Sequence, residues 1–463
     1  MSSSLNKDAW VNLGQHALSL LKLGFPLIFG QLAVMAMGVT DAVIAGHYST
    51  ADLAGISLAS GVWAPLIVAM ITLVTAVNPF LARYYGGGHL LEMGVEARQG
   101  LWVALFAGCV VAVVALLIIP HLSRLDTDGQ AVVVAQDYLA FILFGAPALG
   151  MQIVLRGVCE SSGYPRITVK LYGGALIVNG ILDYVFVYGK LGLPAMGGAG
   201  CGLASAIVYW LVMLAAVAHL MTHERYHEIK LFKGSFGIDR QRLFRILKLG
   251  LPMSIGGGAE VGFFSILVLM VSSHGVVALA AHQIAMSVTG VMFMIPLGLS
   301  MALTIKVSHA LGAGQPDNAA TYARAGILVV LLIGTINSVL TLSLAPHIAS
   351  LYSNDAAVVV LAKVLLYLVA AFQIADGLQM VSNGALRGYR DTFKPMLLML
   401  AAFWGVGLTF AVVFGYDLFG VGSEGVVGFW YGAIAALSAA CLFLALRLRW
   451  VSRRELRLAV ETY

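Results

Sequence analysis

Charged residues are scarce in this chain. Asp, Glu, Lys and Arg make up 11% of its 463 residues, whereas hydrophobic residues make up 60% and the mean hydropathy is +0.92. Soluble globular domains carry about 25% charged residues. The composition therefore excludes an ordinary soluble protein and indicates an integral membrane protein.

Cysteine is also rare, and common catalytic signatures are missing. The four cysteines are widely spaced and form no C-x-x-C pair, so we predict neither a disulfide nor a metal role for them. No P-loop, dinucleotide-binding fingerprint or nucleophile elbow occurs in the sequence. These absences argue against an ATP-driven pump and a hydrolase, and we expect no cofactor and no enzymatic activity.

One metal-binding pattern needs an explanation. The segment from His223 to His227 matches H-E-x-x-H, which in zinc proteases places two imidazoles on one helical face. Here the segment lies in a charged linker without an obvious third ligand. We therefore expect a solvated surface rather than a zinc site.

Twelve apolar runs are long enough to cross the ~30 Å hydrocarbon core of a bilayer as helices. We predict them near residues 20–45, 53–80, 99–120, 134–155, 167–189, 202–222, 247–273, 278–304, 324–346, 358–384, 394–416 and 425–447. With both termini in the cytoplasm, all but three of the 27 Lys and Arg residues fall on the cytoplasmic side. This skew follows the positive-inside rule and predicts an all-α, multi-pass membrane protein.

The two halves of the chain are copies of each other. An offset of 226 residues aligns Leu21–Pro26 with Leu247–Pro252 and Pro120 with Pro346. A fixed offset through Gly, Pro, Arg and His positions is hard to obtain by chance. We predict an N-lobe over 1–222, a cytoplasmic linker over 223–246 and a C-lobe over 247–463 that ends in a basic tail. Such parallel repeats are typical of transporters that bind substrate near the midplane between two lobes.

Four carboxylates lie inside the apolar runs, with no Lys or Arg at comparable depth: Asp41, Asp183, Glu260 and Asp376. An ionised carboxylate at the centre of a membrane helix costs roughly 2.5 to 3.5 kcal/mol on insertion scales. The repeat does not copy Asp41, Glu260 or Asp376 into the other half, so we do not expect a scaffold role. The missing partner of these acids is predicted to be a cation.

The acids in the two halves have different surroundings. Asn179 and Asp183 are four residues apart, which places them on one helical face where they could meet Asp41. Oxygen-bearing side chains in one pocket suit a proton or a small hard cation. In the second half, Glu260 follows Gly256–Gly258, and we expect this helix to be interrupted and to expose backbone carbonyls beside the carboxylate.

Aromatic residues near these acids are candidates for substrate contact. Phe264 lies one turn after Glu260, Phe372 one turn before Asp376, and Trp63 lies on the second apolar run. Such rings offer apolar and cation–π surface to an organic cation. Packing alone is the competing interpretation for all three.

These motifs together resemble the multidrug and toxic compound extrusion (MATE) family, closest to its NorM branch. The resemblance rests on the L-K-L-G-x-P opening of both halves, on Asp41, on Gly256–Glu260, and on Asp376 followed by Gly384–Thr392. It implies a pair of six-helix lobes in the bacterial inner membrane that export cationic drugs and dyes in exchange for protons or sodium ions. It also implies that Glu260 and Asp376 carry the coupling ion, sodium included.

Other functions remain open at this stage. A flippase for lipid-linked or polysaccharide precursors shares the fold, but its anionic substrates call for basic residues in the cavity. A major-facilitator transporter also has six plus six helices, and a membrane enzyme is the weakest alternative. We expect a monomer whose partners are cationic small molecules and membrane lipids, with no nucleic acid.

Overall fold

The fold is built from helices. The computed structural model describes residues 2–124, 129–234, 236–420 and 425–461, with side-chain surroundings from residue 11 to 459, and that part of the chain contains no strand. Twelve helices are long and apolar enough to span a membrane. We label them α1 to α12: Val11–Tyr48, Thr50–Gly86, Leu90–Arg124, Gly129–Ser161, Arg166–Tyr188, Ala199–Thr222, Arg240–Ser272, Val276–Gly312, Pro316–Tyr352, Ala356–Gly388, Phe393–Gly415 and Val426–Ala459. The predicted all-α membrane fold is confirmed.

Most helices are longer than the apolar runs that predicted them. The helix that contains α1 begins at Ser2, and α9 is 37 residues long. Polar turns at the helix ends carry no hydropathy signal, so the sequence marks only the segment that lies in hydrocarbon.

Contacts divide the chain into two compact units. The first unit runs from Phe29 to Ser254, and the second comprises Met1–Ile28 and Ile255–Tyr463. The division therefore falls inside α1 and inside α7 rather than in the linker. The lobes expected from the repeat have different limits and stay a prediction.

Within the second unit, α8 and α10 approach closely. Three hydroxyls on α8 donate to carbonyls spaced four residues apart on α10: Ser300 to Met380, Thr304 to Gly384 and Ser308 to Gly388, at 2.8, 2.7 and 3.2 Å. A Cβ on Gly384 would lie 2.5 Å from the backbone oxygen of Ser300. Small residues and interhelical hydrogen bonds are the usual means of holding membrane helices together.

Within the first unit, the segment between α6 and α7 is folded onto α3. One guanidinium nitrogen of Arg98 donates to three carbonyls of this segment, those of Lys230, Leu231 and Lys233, at 2.9, 3.2 and 3.1 Å. Gln99 donates to the carbonyl of Gly237 at 2.9 Å and accepts from the backbone N–H of Asp239 at 3.0 Å. The predicted linker is thus part of a compact unit over its described residues.

The start of α7 continues the same network. Arg242 forms ion pairs with Glu92 and Glu96 on α3, at 2.6 and 3.2 Å. Asp239 caps α7, and the hydrogen bond from the backbone N–H of Arg242 is the main reason that the pKa of Asp239 is lowered. These contacts fix the direction in which α7 leaves the linker.

The H-E-x-x-H segment also lies here. Glu224–Ile229 forms a 3₁₀-helix, in which residues four apart do not share a face as they do in an α-helix. His223 and His227 are exposed, as expected, whereas Tyr226 between them is buried. The geometry is therefore not that of a zinc-protease helix.

Candidate functional site

The first candidate site lies in the first unit, between α1 and α5. Asp41 on α1 is 5% exposed, and Asn179 and Asp183, one turn apart on α5, are fully buried. The carboxylate of Asp41 faces the side chains of both. The structure therefore brings these three groups together, as expected from the sequence.

Few hydrogen bonds satisfy this cluster. The hydroxyl of Ser205 on α6 donates to Oδ2 of Asp41 at 3.3 Å. Within the described residues, Oδ1 of Asp41, both oxygens of Asp183 and both polar atoms of Asn179 form no hydrogen bond of good geometry, although Asp41 lies within interaction range of Asp183 and Asn179. A buried polar atom without a partner costs about 1 to 3 kcal/mol. The cluster therefore offers a set of free oxygen ligands to a cation or to water.

Residues on α4 and α6 that the sequence analysis did not select complete the surroundings. Tyr138 and Tyr209 lie near Asp41, and Trp63 lies beside Tyr209. Cys201 donates from its thiol to the backbone oxygen of Asp41 at 3.7 Å. The sequence contained a pattern that could have identified them, because Cys201, Ser205 and Tyr209 recur every fourth residue and form one polar stripe on α6.

The second candidate site lies in the second unit, on α7 and α10. Glu260 and Asp376 are close enough for their charges to repel each other. Nε2 of Gln379 donates to Oε2 of Glu260 at 3.4 Å, and Arg387 lies within electrostatic range of Glu260. The sequence analysis did not connect Arg387 with this acid. Glu260 is thus partly compensated by a basic residue, while Asp376 is not.

A small cavity adjoins Asp376. It has about 20 Å³ of space, and its polar lining groups are Asp376, Gln373, Asn337 and Thr289. Gln373 donates from Nε2 to the hydroxyl of Thr341 at 3.1 Å, while its buried Oε1 has no partner among the described residues. A space of this size holds about one water molecule.

The expectation of an interrupted helix at Gly256–Gly258 is wrong. The α-helix continues through these glycines from Arg240 to Ser272. The irregular backbone lies instead on α11, where Ala401–Gly407 forms a π-helix. From this segment Nε1 of Trp404 donates to the backbone oxygen of Ala259 at 3.0 Å. A carbonyl beside Glu260 therefore accepts a hydrogen bond from an indole, and no break in the helix exposes it.

The predicted substrate-contacting aromatics differ in exposure. Phe372 is 1% exposed, lines the cavity at Asp376 and stacks on Trp430 with centroids 5.8 Å apart. Trp63 is buried as well, whereas Phe264 is partly exposed and packs edge-on against Phe263. Their role in substrate contact stays a prediction.

A buried ion pair in the first unit was missed. Nε of Arg156 lies 3.2 Å from Oε1 of Glu160, which also accepts a hydrogen bond from Thr168 at 2.9 Å. A guanidinium nitrogen of Arg156 donates to the hydroxyl of Tyr172 at 3.2 Å. The spacing of four between Arg156 and Glu160 was the available signal. Their pairing satisfies a charge that would be costly to bury alone.

Comparison with known proteins places the chain among membrane transporters. A sequence model of the MatE family matches residues 26–185 and 252–413. The multidrug resistance protein MdtK of Yersinia pseudotuberculosis serotype O:1b (strain IP 31758) is 36% identical over 446 residues, which cover 95% of this chain and 96% of that protein.

Solved structures show the same fold. The Vibrio cholerae MATE transporter VcmN in its bent form matches with a TM-score of 0.85 and 18% identity, over 96% of this chain and 99% of that one. A structure described as MATE in the bent conformation matches with a TM-score of 0.86 and 20% identity, over 98% and 99%. At these identities the likeness establishes the architecture alone.

Proposed function

The chain belongs to the MatE family, and we propose that it is a multidrug efflux antiporter that exports organic cations across the bacterial inner membrane in exchange for protons or sodium ions. The similarity to multidrug resistance protein MdtK supports the class of exported compound. The chain is a multi-pass membrane protein. The uneven distribution of Lys and Arg supports cytoplasmic termini.

The unsatisfied cluster of Asp41, Asn179 and Asp183 carries this proposal. Among the residues that the structure describes, no Lys or Arg forms an ion pair with Asp41 or Asp183. A bound cation supplies the missing charge and the missing hydrogen-bonding or coordination partners together. Carboxylate and amide oxygens are also suitable ligands for a small hard cation.

Glu260 and Asp376 form the second part of the proposed coupling machinery. The two carboxylates repel each other when both are ionised, so a proton or a sodium ion between them relieves the repulsion. The cavity beside Asp376 offers space for about one water molecule. We assign Trp63, Phe264 and Phe372 to the apolar surface that an organic cation contacts.

Coupling follows from mutual exclusion at the carboxylates. One acidic site cannot hold two positive species at low cost, so binding of the coupling ion weakens binding of the organic cation. The two ligands are therefore linked by a reciprocal free energy, and exchange is favoured over leakage.

The test is transport by the full chain in liposomes. Export of ethidium is measured under an imposed proton gradient and, separately, under an imposed sodium gradient. We expect one gradient or both to drive export, and we expect Asp376→Asn and Asp41→Asn each to lower the initial rate at least tenfold, from about 1.4 kcal/mol or more of lost interaction.

The matched control is Asp317→Asn, which makes the same chemical change at an exposed position in the first turn of α9. Wild-type rates in both site variants would overturn the assignment of these acids. Absence of export under both gradients would overturn the antiporter proposal and favour a flippase for lipid-linked precursors.

A further inference from the structure

The last helix extends well beyond the membrane. The helix that contains α12 runs for 36 residues from Val426 to Glu461. At 1.5 Å per residue this is about 54 Å, against a hydrocarbon core of about 30 Å. The final part of the helix must therefore pass through the headgroup layer of the cytoplasmic leaflet. All five basic residues between 447 and 457 are arginines: Arg447, Arg449, Arg453, Arg454 and Arg457.

One exposed face of this helix changes its chemistry along its length. Leu442 and Leu446 are each 56% exposed, Trp450 is 51% exposed, and Arg453 and Arg457 are exposed. These positions follow one another at intervals of three or four residues, so they share one face. The order aliphatic, indole, guanidinium matches the order hydrocarbon, interface, headgroup in a bilayer.

Trp450 holds two guanidinium groups at the depth of the interface. Arg447 lies 4.3 Å and Arg454 lies 5.6 Å from the centroid of the Trp450 ring. Nε of Arg447 also donates to Oδ2 of Asp391 at 2.7 Å, which neutralises its charge. Cation–π contacts of this kind orient a guanidinium without consuming its N–H donors.

The other four arginines have no acidic partner among the side chains that the structure describes, which end at residue 459. No carboxylate of the described residues lies within ion-pair distance of Arg449, Arg453, Arg454 or Arg457. We call these four residues together with Trp450 the C-terminal basic face. It presents free guanidinium donors at the end of a helix face that is lipid-exposed.

We propose that the C-terminal basic face binds the phosphate headgroups of anionic phospholipids in the cytoplasmic leaflet. Guanidinium groups bind phosphate through paired, charge-assisted hydrogen bonds. The acyl chains would lie along Leu442 and Leu446, which continue the same face into the hydrocarbon. This continuity favours a lipid over a soluble phosphate. The inference is independent of the proposed transport function.

The neighbouring helix end supports the assignment. The pair between Asp391 and Arg447 ties the connection before α11 to α12 at this level. Phe393 is 57% exposed, and Lys394 beside it is exposed as well. An aromatic ring and a cation at the same depth extend the interfacial surface.

The experiment measures lipid retention by the full chain. Wild type and the triple variant Arg453→Gln, Arg454→Gln, Arg457→Gln are purified in detergent with equal amounts of phosphatidylglycerol and phosphatidylcholine, and bound lipid is counted by native mass spectrometry. Each basic residue near an anionic surface contributes about fivefold in affinity, so we expect the variant to lose at least tenfold in phosphatidylglycerol occupancy. Phosphatidylcholine occupancy should stay unchanged.

Two controls separate this site from general charge and folding effects. Lys230→Gln, Lys233→Gln, Arg240→Gln removes the same charge from exposed residues of the linker and should retain wild-type occupancy. Replacement of the same three tail arginines by lysine keeps the charge and should stay within about threefold of wild type.

Three results would overturn the proposal. These are equal phosphatidylglycerol retention in wild type and tail glutamine variant, an equal loss in the linker control, or complete displacement of phosphatidylglycerol by millimolar inorganic phosphate. The last result would indicate a soluble-phosphate site. None of these outcomes depends on whether ethidium is transported.

Discussion

Nε1 of Trp430 donates a hydrogen bond to Nδ1 of His282 at 3.1 Å, and both side chains are buried in the second unit. Because Nδ1 acts as the acceptor, the imidazole is neutral and carries its proton on Nε2. A face of the indole stacks on Phe372, which forms a wall of the cavity at Asp376. A histidine that the sequence analysis did not select therefore helps to position the wall of a candidate ion site.

Replacing His282 by Leu should destabilise the protein through Trp430. The indole N–H would be buried without its acceptor, at a cost of about 1 to 3 kcal/mol. We expect a lower Tm in detergent. In a Trp430→Phe background the same replacement should cost less, because no donor is then left unsatisfied. Equal losses in both backgrounds would show that the hydrogen bond does not carry the effect.

Gly384→Ala should separate α8 from α10. The added methyl would lie 2.5 Å from the backbone oxygen of Ser300, next to the bond from Thr304 to the carbonyl of Gly384. Such overpacking costs about 1 to 3 kcal/mol. The control is Gly258→Ala, where a Cβ meets nothing within 4 Å. Thermal unfolding in detergent should rank Gly384→Ala well below both wild type and the control.

The Gly258 control also bears on what sequence could and could not predict. Helix number, all-α architecture and the shared helical face of Asn179 and Asp183 follow from hydropathy and helical spacing, which act locally. The continuity of α7 through Gly256–Gly258 could not be predicted in this way. Packing against α11, including the hydrogen bond from Trp404 to the carbonyl of Ala259, overrides the weak helix preference of glycine.

Polar contacts between residues far apart in the sequence could not be predicted either. Arg98 and the carbonyl of Lys230 are 132 positions apart, and no periodic pattern connects them. The same holds for Trp430 and His282, 148 positions apart. Ser205 could have been selected from the sequence, because it lies on a polar stripe of α6. A serine inside an apolar helix is, however, weak evidence for a functional site by itself.

Ser205→Ala should change the affinity of Asp41 for the coupling ion without abolishing transport. The hydroxyl donates to Oδ2 of Asp41 at 3.3 Å and stabilises the ionised carboxylate. Loss of one hydrogen bond of about 1 kcal/mol favours the protonated carboxylate, so under a proton gradient the proton concentration at half-maximal export should fall by about fivefold. The maximal rate should change little, because the carboxylates remain.

Ser338→Ala is the matched control for that measurement. Its hydroxyl donates to the carbonyl of Ala370 at 2.7 Å in the second unit. The driving-ion concentration at half-maximal export should match wild type in Ser338→Ala. An unchanged value in Ser205→Ala, or an equal change in both variants, would contradict a role for Ser205 at the ion site.

Arg98→Ala should release the segment between α6 and α7 from α3. One side chain supplies hydrogen bonds to the carbonyls of Lys230, Leu231 and Lys233, and hydrogen bonds to charged groups contribute about 1.5 to 3 kcal/mol each. Their loss leaves Gln99, Trp102, which donates from Nε1 to the carbonyl of Phe236 at 2.9 Å, and the Arg242 ion pairs to hold this segment. Local opening should therefore become frequent while the membrane helices stay folded.

Limited trypsin digestion measures that opening directly, because Lys230, Lys233 and Arg240 are exposed cleavage sites. In the wild type, the hydrogen bonds from Arg98 restrain the backbone of this segment. We expect cleavage in 230–240 at least tenfold faster in Arg98→Ala than in wild type. Glu92→Gln, which removes an exposed partner of Arg242 but leaves Arg98 in place, should cleave at a rate close to wild type, since an exposed ion pair contributes about 1 kcal/mol or less. If Arg98→Ala is cleaved no faster than Glu92→Gln, the segment is held by the ion pairs of Arg242 and not by Arg98.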